Sequence, residues 1–331
     1  MIRYTLFLLS ILIFTFNCVD GTCVEPDKGS QSTEIAFIIP PGGLDTDMVT
    51  DEWKLPGLYS PANLFDGDPA TCYARTGESF DFHIIFKKSV YIDEIRVING
   101  FARDKGVFFK NNRVREFNIG FTYRTATDKT GGGECGILTD KSEIQAVKLK
   151  KVYFAEEVGL TNSFVYEGIR PSESIYKGSK YNDTCVSEIE FYYKGKKVVL
   201  TNIDELKKQY VKNIQKDLVN LLSERSYKLS LKTDDDSRDD QIDIETNRDG
   251  TIKYTSNMWS SKIFINNIKK MPDMWKVENS TLHMRINGKW VLQKYKIKRG
   301  MYDTPIGLFI FTMPFDGFPK GGYLQIYGGD E

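Results

Sequence analysis

The alternation of apolar and polar residues constrains the fold of this 331-residue chain more than any other feature. A period of two gives a strand one buried face and one wet face, which is typical of antiparallel sheets. Stretches rich in Gly, Pro, Asn and Asp separate the alternating segments and predict loops, as at residues 65–69 and 131–133. The pattern predicts a β-sandwich. It is carried by Phe80, Phe82, Ile84 and Phe86; by Val90 and Ile92 and, after a slip, Ile95 and Val97; by Phe117, Ile119, Phe121 and Tyr123; and by Ile189, Phe191 and Tyr193.

The period changes to three and four residues after Asn202, which predicts an amphipathic helix. Asn202 and Glu205 match a capping box, so the sequence marks the start of the helix. The apolar face comprises Ile203, Leu206, Tyr210, Ile214, Leu218 and Leu221.

A second β-rich region follows an acidic stretch, Asp234 to Asp240, which we interpret as a solvated linker. Asn287-Gly288 lies between two alternating runs and predicts a hairpin. The region predicts a small meander or half-barrel packed on the helix. Its tryptophans are compatible with a lipocalin-like cavity or with core packing, and core packing is favoured. The apolar positions are Tyr227, Leu229, Leu231, Ile242, Ile244, Leu282, Met284, Ile286 and residues 322–327, and the tryptophans are Trp259, Trp275 and Trp290.

The chain is therefore predicted to be mainly β, with more than one domain, as its length also favours. The predicted divisions are a signal peptide at 1–17, a tether at 18–33, a β-sandwich at 34–201, a linking helix at 202–225 and a small β domain at 226–331.

The N-terminus has the composition of an export signal. Arg3 precedes an apolar run from Leu6 to Phe16, which is too short to span a bilayer as a helix. Cys18 follows the run and is predicted to be a lipidation site; ordinary cleavage, with Cys18 removed or in a disulfide, is the alternative. We therefore expect a membrane-anchored lipoprotein in the periplasm or at the cell surface.

The cysteines favour disulfides over a metal site. If Cys18 carries lipid, an even number remains for an oxidising compartment, and the sequence leaves three pairings open. Their separations match no zinc-ligand spacing. The four cysteines are Cys23, Cys72, Cys135 and Cys185.

Charge and histidine content restrict the function. The 45 basic residues are balanced by 45 acidic ones, so nucleic acid is not an expected partner. His83 and His283 are the only histidines, and the C-terminal region has no phosphate loop or nucleophile elbow. Glu278 and Asp303 could act as paired acids only if the fold brought them together. We predict no catalytic residue, metal or cofactor.

Three blocks in order carry a family resemblance: Ala62 to Thr71, Ile98 to Phe101 followed by Asn111 to Arg115, and Tyr176 to Ile189. Together they resemble the NADase-type glycan-binding branch of the discoidin, or coagulation-factor type C, superfamily. That branch occurs in bacterial surface proteins and beside a secreted NAD glycohydrolase. The resemblance covers residues 35–200 and implies a discoidin-like jelly roll. Its motif residues are Asp66, Gly67, Asp68, Thr71, Tyr73, Asn99, Gly100, Cys185, Ser187 and Glu188.

We expect these motif residues to be structural. Asp66 and Asp68 flank a glycine in a turn that offers too few oxygens for calcium. Asn99-Gly100 is expected to be a turn at a strand end. Asp183, Ser187 and Glu188 are expected to lock the sandwich edges, with a polar groove as the alternative; Glu188 would point outward if Ile189 points inward. The family usually has a tryptophan where this chain has Tyr73, and Cys72 precedes it.

A ligand site is predicted on two loops, because sugar sites combine aromatic faces with amides and carboxylates. The expected function is a non-catalytic module that binds a glycan or another extracellular ligand. The alternative is an envelope enzyme, or an enzyme accessory, that acts on NAD or a glycan through the C-terminal domain. The candidate ligand-binding residues are Phe101, Phe108, Asn111, Asn112, Arg113, Tyr176, Tyr181 and Asp183.

Overall fold

The computed structural model describes residues 30–39, 54–78, 80–124, 129–168, 183–223, 225–232, 239–255, 271–299, 305–311 and 322–327. The predicted signal peptide, the lipidation site Cys18 and Cys23 lie outside these residues, as do Tyr176, Tyr181, Trp259 and Asp303. Within the described ranges, no helix has the length and apolar character needed to cross a membrane.

The described residues of the first half of the chain form a β-sandwich with one 3-10 helix and one short α-helix. The alternating segments all form strands, as predicted. The elements are β1 (Ser32–Thr33), β2 (Ile35–Ile39), the 3-10 helix (Pro61–Phe65), β3 (Tyr73–Thr76), β4 (Asp81–Asn99), α1 (Lys105–Lys110), β5 (Asn112–Arg124), β6 (Lys129–Ile137), β7 (Gln145–Tyr166), β8 (Asp183–Tyr193), β9 (Lys196–Lys197) and β10 (Val199–Leu200).

The long strand β4 takes part in both layers of the sandwich. The strand order is β2-β4-β7-β5-β8-β3, with β6 beside β5 and β9 beside β8. The first part of β4 pairs with β2 and β7, whereas its last part pairs with β7 and β8, so one strand serves both layers. A register shift between Ile92 and Glu94 explains the slip in the apolar alternation. This architecture confirms the predicted discoidin-like jelly roll.

Three local expectations about this domain need correction. Gly131, Gly132 and Gly133 lie inside strand β6 and not in a loop. A Cβ on Gly133 would stand 2.9 Å from the Ile119 carbonyl oxygen, so glycine is needed there because β5 and β6 approach closely. The first family block, which the resemblance places at a strand–loop opening, begins instead with the 3-10 helix. Ser60 caps that helix, and Pro61 is its first residue. The predicted tether ends inside the fold, since β1 pairs with β10.

Helix α2 (Ile203–Leu222) contributes to two hydrophobic cores. Ile203 and Leu206 pack against the core of the sandwich. Further along, Ile214 and Leu218 belong to the core of the C-terminal domain. The apolar face predicted from the sequence is therefore buried along its length, by a different domain at each end.

Asn202 does not form the predicted capping box, because its side chain makes no cap hydrogen bond. Its amide instead pairs with the backbone of Ile35: Oδ1 accepts from Ile35 N at 2.9 Å and Nδ2 donates to Ile35 O at 2.8 Å. Asn202 therefore connects the start of α2 to strand β2. Local sequence cannot predict this role, because Ile35 is far from Asn202 along the chain.

The described strands of the C-terminal domain are β11 (Arg225–Lys232), β12 (Asp239–Thr246), β13 (Ile252–Thr255), β14 (Met274–Glu278), β15 (Thr281–Ile286), β16 (Lys289–Leu292), β17 (Lys294–Arg299), β18 (Pro305–Phe311) and β19 (Gly322–Tyr327). They form a six-stranded sheet, β13-β12-β11-β19-β18-β17, and a three-stranded sheet, β14-β15-β16, which share a hydrophobic core with the second half of α2.

The predicted hairpin is confirmed, because Asn287 and Gly288 both have positive φ between β15 and β16. Trp275 is buried in the core, whereas Trp290 is exposed.

Candidate functional site

The loop cluster predicted to bind ligand is buried where the structure describes it. Each of its six described members exposes less than a tenth of its surface, and their polar groups bond within the domain. Tyr176 and Tyr181 lie outside the described residues, so the ligand-binding role of the cluster stays a prediction. The six are Phe101, Phe108, Asn111, Asn112, Arg113 and Asp183.

Arg113 occupies the centre of this cluster. Its guanidinium makes a paired contact with Asp140, with Nε–Oδ1 at 2.9 Å and Nη2–Oδ2 at 2.8 Å. Nη1 also donates to the carbonyl oxygens of Asn111 at 2.7 Å and Glu167 at 3.1 Å. The group lies 5.4 Å from the ring centroid of Phe108. Arg113 therefore joins α1, the start of β5 and the end of β7 from inside.

The neighbouring asparagines replace missing backbone partners. Asn99 Oδ1 accepts from the backbone N–H of Val114 at 3.0 Å, and Asn99 Nδ2 donates to Val114 O at 2.6 Å. Asn112 Oδ1 accepts from Gly168 N at 2.9 Å. These amides satisfy buried backbone groups at strand ends, where the sheet ladder stops. The contacts are those of structural residues.

The Asp66 turn has the structural form expected for it. Asp66 Oδ1 accepts from Asp68 N at 2.8 Å, and Asp66 Oδ2 accepts from Thr71 Oγ1 at 2.8 Å. Lys207 of α2 forms an ion pair with the same carboxylate. The turn thus connects the sandwich to the linking helix.

Glu188 does not point into solvent, contrary to the expectation from the position of Ile189. Both residues are buried, because the Asp66 turn and α2 cover the outer side of β8 at this point. Burial, and then the carboxylate of Asp66, raise the pKa of Glu188 to about 9. Burial also acts upward on Asp66, but its hydrogen bonds with Glu188 and Lys207 leave the pKa of Asp66 lowered. At neutral pH Glu188 is therefore protonated beside the Asp66 carboxylate.

This pair predicts a pH-dependent stability. The folded-state pKa of Glu188, about 9, exceeds the usual value of 4.5, so the folded chain holds a proton that the unfolded chain releases between these values. Stability from Glu188 is complete below the unfolded pKa and is lost as the pH rises towards 9. Glutamine has nearly the same shape as glutamate but does not titrate. The free energy of unfolding of the wild type should therefore fall relative to that of Glu188→Gln as the pH rises from about 6 to 8.5. Urea denaturation across that range measures the change.

The exposed Glu143 gives the control for this comparison, since Glu143→Gln should differ from the wild type by a constant amount across the same pH range. A constant difference for Glu188→Gln as well would show that Glu188 does not hold the proton.

A polar trough on the outer face of the sandwich is the candidate site that the structure adds. Its centre is on β5, where Phe117, Ile119 and Phe121 face the core, so the alternate positions Asn118 and Gly120 face outward. Cross-strand pairing places Thr161 and Cys135 on either side of Asn118. The cavity has a volume of about 590 Å³.

Three glycines in adjacent strands form the floor of the trough. Gly120 pairs with Gly159 on β7 and with Gly133 on β6, and His83 pairs with Gly159 from β4. The missing Cβ atoms leave the sheet backbone accessible from outside at Gly120 and Gly133, whereas the imidazole of His83 lies against Gly159. A flat ligand can therefore approach the backbone closely at these two positions of the glycine row.

His83 closes one end of the trough between two carboxylates. Its Nδ1 lies 2.8 Å from Glu157 Oε1, and its Nε2 lies 3.9 Å from Asp81 Oδ1. A Cβ on Gly159 would stand 3.1 Å from the imidazole Cε1, so the glycine makes room for the ring. The side chain of His83 is 44% exposed, which leaves one edge available to a ligand.

Glu134 borders the opposite end of the trough, but its side chain is on the inner side of the sheet, because Glu134 pairs with the core-facing Ile119. Glu134 accepts from the hydroxyl of Tyr153 at 3.0 Å and from the backbone N–H of Lys150 at 2.9 Å. Cys135 lies beside it, and burial followed by a hydrogen bond with Glu116 raises the pKa of its thiol. Because a raised pKa keeps the sulfur protonated at neutral pH, Cys135 is not an activated nucleophile. The chemistry of the trough is that of polar binding.

Sequence reasoning missed this site because its residues come from four separate strands. Asn118, Thr161 and His83 each occupy ordinary polar positions in an alternating pattern. The one signal was the excess of glycine at Gly120, Gly133 and Gly159, since glycine inside a strand often marks a close approach.

The fold places residues 31–200 in the class of discoidin-like β-sandwiches. A comparison with protein families is more specific: residues 56–192 match the model described as the NAD glycohydrolase translocation F5/8 type C domain. This match confirms the resemblance predicted from the sequence. The search of curated proteins found no match to the chain.

Solved structures of the same kind are similar over about half of the chain. The family 32 carbohydrate-binding module of Clostridium perfringens NanJ, in complex with galactose, is 16% identical, with a TM-score of 0.30, and the match covers 47% of this chain and 100% of that one. The family 32 module of Streptococcus pneumoniae EndoD is 10% identical, with a TM-score of 0.33 and coverage of 49% and 96%. An F5/8 type C domain from Bacteroides fragilis is 12% identical, with a TM-score of 0.32 and coverage of 50% and 98%.

Proposed function

We propose that the chain is an exported, lipid-anchored envelope protein whose β-sandwich binds a glycan without catalysis. The observation that carries this proposal is the glycine-floored trough, with side-chain amide, hydroxyl, imidazole and carboxylate groups around an open strip of backbone. Cavities of a few hundred Å³ with a few placed polar groups are typical of small-ligand sites. The lipid anchor rests on Cys18, which directly follows the apolar export segment.

The groups around the trough suit the hydroxyls of a sugar. Asn118 and Thr161 face outward on paired positions, and both can donate and accept hydrogen bonds. A pyranose ring lying on the glycine row can reach both side chains, because paired residues on one face are close neighbours. The other hydroxyls would meet His83 and Glu157.

Charge narrows the class of glycan. Two carboxylates, Asp81 and Glu157, lie beside the imidazole at one end of the trough, while Lys150 supplies one cationic side chain. Like charges within a few ångströms repel even at the protein surface. We therefore expect neutral or amino sugars to bind better than uronic or sialic acids.

The test is a glycan array with the lipid-free chain from Val19 onward. The linking helix must remain, since Ile203 and Leu206 complete the sandwich core. Reproducible binding of neutral or amino-sugar glycans is expected, and Asn118→Ala should weaken it about tenfold through lost hydrogen bonds. The matched control is Asn213→Ala on the exposed side of α2, which should bind like the wild type.

Two outcomes would contradict the proposal. One is a folded sample that binds no glycan on the array. The other is an Asn118→Ala variant that binds as tightly as Asn213→Ala, because ligand contact at Asn118 is required by the trough model.

A second candidate is an accessory role beside a NAD glycohydrolase, which the description of the matching family favours. In that role the sandwich would assist translocation of the NAD glycohydrolase, and the C-terminal domain at 226–331 would be the effector or would bind the partner enzyme. An assay of NAD turnover by the purified chain separates the two. Turnover that is lost when a C-terminal carboxylate such as Glu278 is neutralised would replace the binding module with an enzyme.

A further inference from the structure

Two buried cysteines meet between the edge of the sandwich and the loop after β4. Cys72 and Cys185 are 0% and 1% exposed, and they form a small core cluster with Ala74 and Phe101. Strand β3 pairs Ala74 directly with Cys185. Cys72 precedes Ala74 by two residues, so all three side chains lie on the same side of the sheet. The two thiols share a hydrogen bond.

We propose that Cys72 and Cys185 form a disulfide bond that ties β3 to β8 in the exported protein. The proposal rests on the export included in the proposed function, because an oxidising compartment is where such a bond persists. It selects one of the three pairings that the sequence leaves open. Cys72, Cys135 and Cys185 are thiols in the described part of the structure.

The oxidation is a thiol–disulfide exchange. One cysteine thiolate attacks an external disulfide, either of a small thiol such as glutathione or of an oxidoreductase, and releases one external thiolate. The second cysteine then displaces the other external sulfur from the mixed disulfide. In sum, the two protein thiols lose two electrons and two protons, and the external disulfide becomes two thiols.

Burial sets the time at which the bond forms. The hydrogen bond with Cys72, followed by burial, raises the pKa of the Cys185 thiol well above its usual value. In the folded, reduced chain Cys185 therefore holds little thiolate, and burial closes both sulfur atoms to an external oxidant. Oxidation must accompany folding, before β3 docks on β8, and the finished bond is then shielded from reductants.

The third described cysteine is in a different environment. Cys135 is exposed on the outer face of β6, where it pairs with Asn118 across the strands. Phe117 and Ile119 alternate with Asn118 and face the core, so Cys135 is on the solvent side of the layer. Cys135→Ala therefore provides a control that removes a thiol without touching the proposed bond.

Peptide mapping under non-reducing conditions tests the proposal. The full chain from Val19 onward is refolded with a mixture of oxidised and reduced glutathione, and a second sample is isolated from the cell envelope. Both should yield a cross-linked peptide pair containing Cys72 and Cys185. Cys135→Ala should keep the link. The oxidised chain should melt roughly 5–15 °C above its reduced form, since the bond closes a long loop.

Free, alkylated Cys72 and Cys185 in a folded sample from oxidative refolding would overturn the proposal, as would a link from either of them to Cys23 or Cys135. A link in the refolded sample that is absent from the envelope sample would overturn it for the exported protein. Failure of the proposed function is distinguishable, because glycan binding can be lost while the Cys72–Cys185 link remains intact.

Discussion

Gly120→Leu is expected to reduce glycan binding by roughly a hundredfold or more and to leave the fold unchanged. Gly120 is at the centre of the trough floor, and a Cβ there would find no atom nearer than 3.9 Å, the carbonyl oxygen of Gly159. A leucine side chain can therefore stand on the outer face without strain and occupy the space of a sugar ring. Leucine also suits a strand better than glycine does.

Titration calorimetry with the strongest glycan from the array measures this loss, and thermal unfolding checks that the variant folds. Ala146→Leu gives the matched control, because Ala146 is an exposed strand residue of β7 that pairs with Arg96, away from the trough. Equal affinity in Gly120→Leu and Ala146→Leu would place the ligand elsewhere.

Arg113→Met is expected to lower the free energy of unfolding by about 2–4 kcal/mol, because the buried guanidinium makes several charge-assisted hydrogen bonds that methionine cannot replace. The guanidinium is 3% exposed and serves Asp140 and the carbonyl oxygens of Asn111 and Glu167. Methionine fills part of the volume but donates no hydrogen bond, so the buried carbonyl groups lose their partner.

Arg115→Met on the same strand is the control for this stability measurement. Arg115 is exposed and stacks on the ring of Phe164 at 4.8 Å, a contact that contributes at most about 1 kcal/mol at the surface. Urea denaturation of both variants gives the comparison. If Arg113→Met costs no more than Arg115→Met, the cluster is not held together by Arg113, and its predicted role in ligand binding regains support.

The sequence predicted the strands and the helix because their apolar residues repeat with a fixed period. Strand β4 kept that period over its length, and even the slip between Ile92 and Ile95 corresponds to a register shift in the sheet. Asn287-Gly288 predicted its hairpin because few residue pairs accept two successive positive φ angles. Such local rules need no knowledge of the rest of the fold.

The candidate site could not be predicted in the same way. Asn112 and Arg113 have the polar groups of a sugar site, but distant partners such as Asp140 and Gly168 occupy those groups. Glu188 alternates with a buried residue and is itself buried, because α2 covers that side of the strand through Lys207. Long-range contacts therefore decided which polar residues stayed accessible.

The trough shows the same limit from the other side. Its floor combines glycines from β5, β6 and β7. The local sequence predicts a loop at Gly133, although this residue lies in a strand. Only the pairing of the strands brings Gly120, Gly133 and Gly159 into one row, with His83 beyond them.

The most direct test of the central claim is amide chemical-shift mapping of the lipid-free chain from Val19 onward, titrated with the strongest glycan from the array. We expect the largest shifts at Asn118, Gly120, Gly133 and Gly159, along the floor of the trough. Shifts confined to residues 101–113 and the loop before β8, with the trough unchanged, would contradict this expectation and return the site to the loops predicted from the sequence.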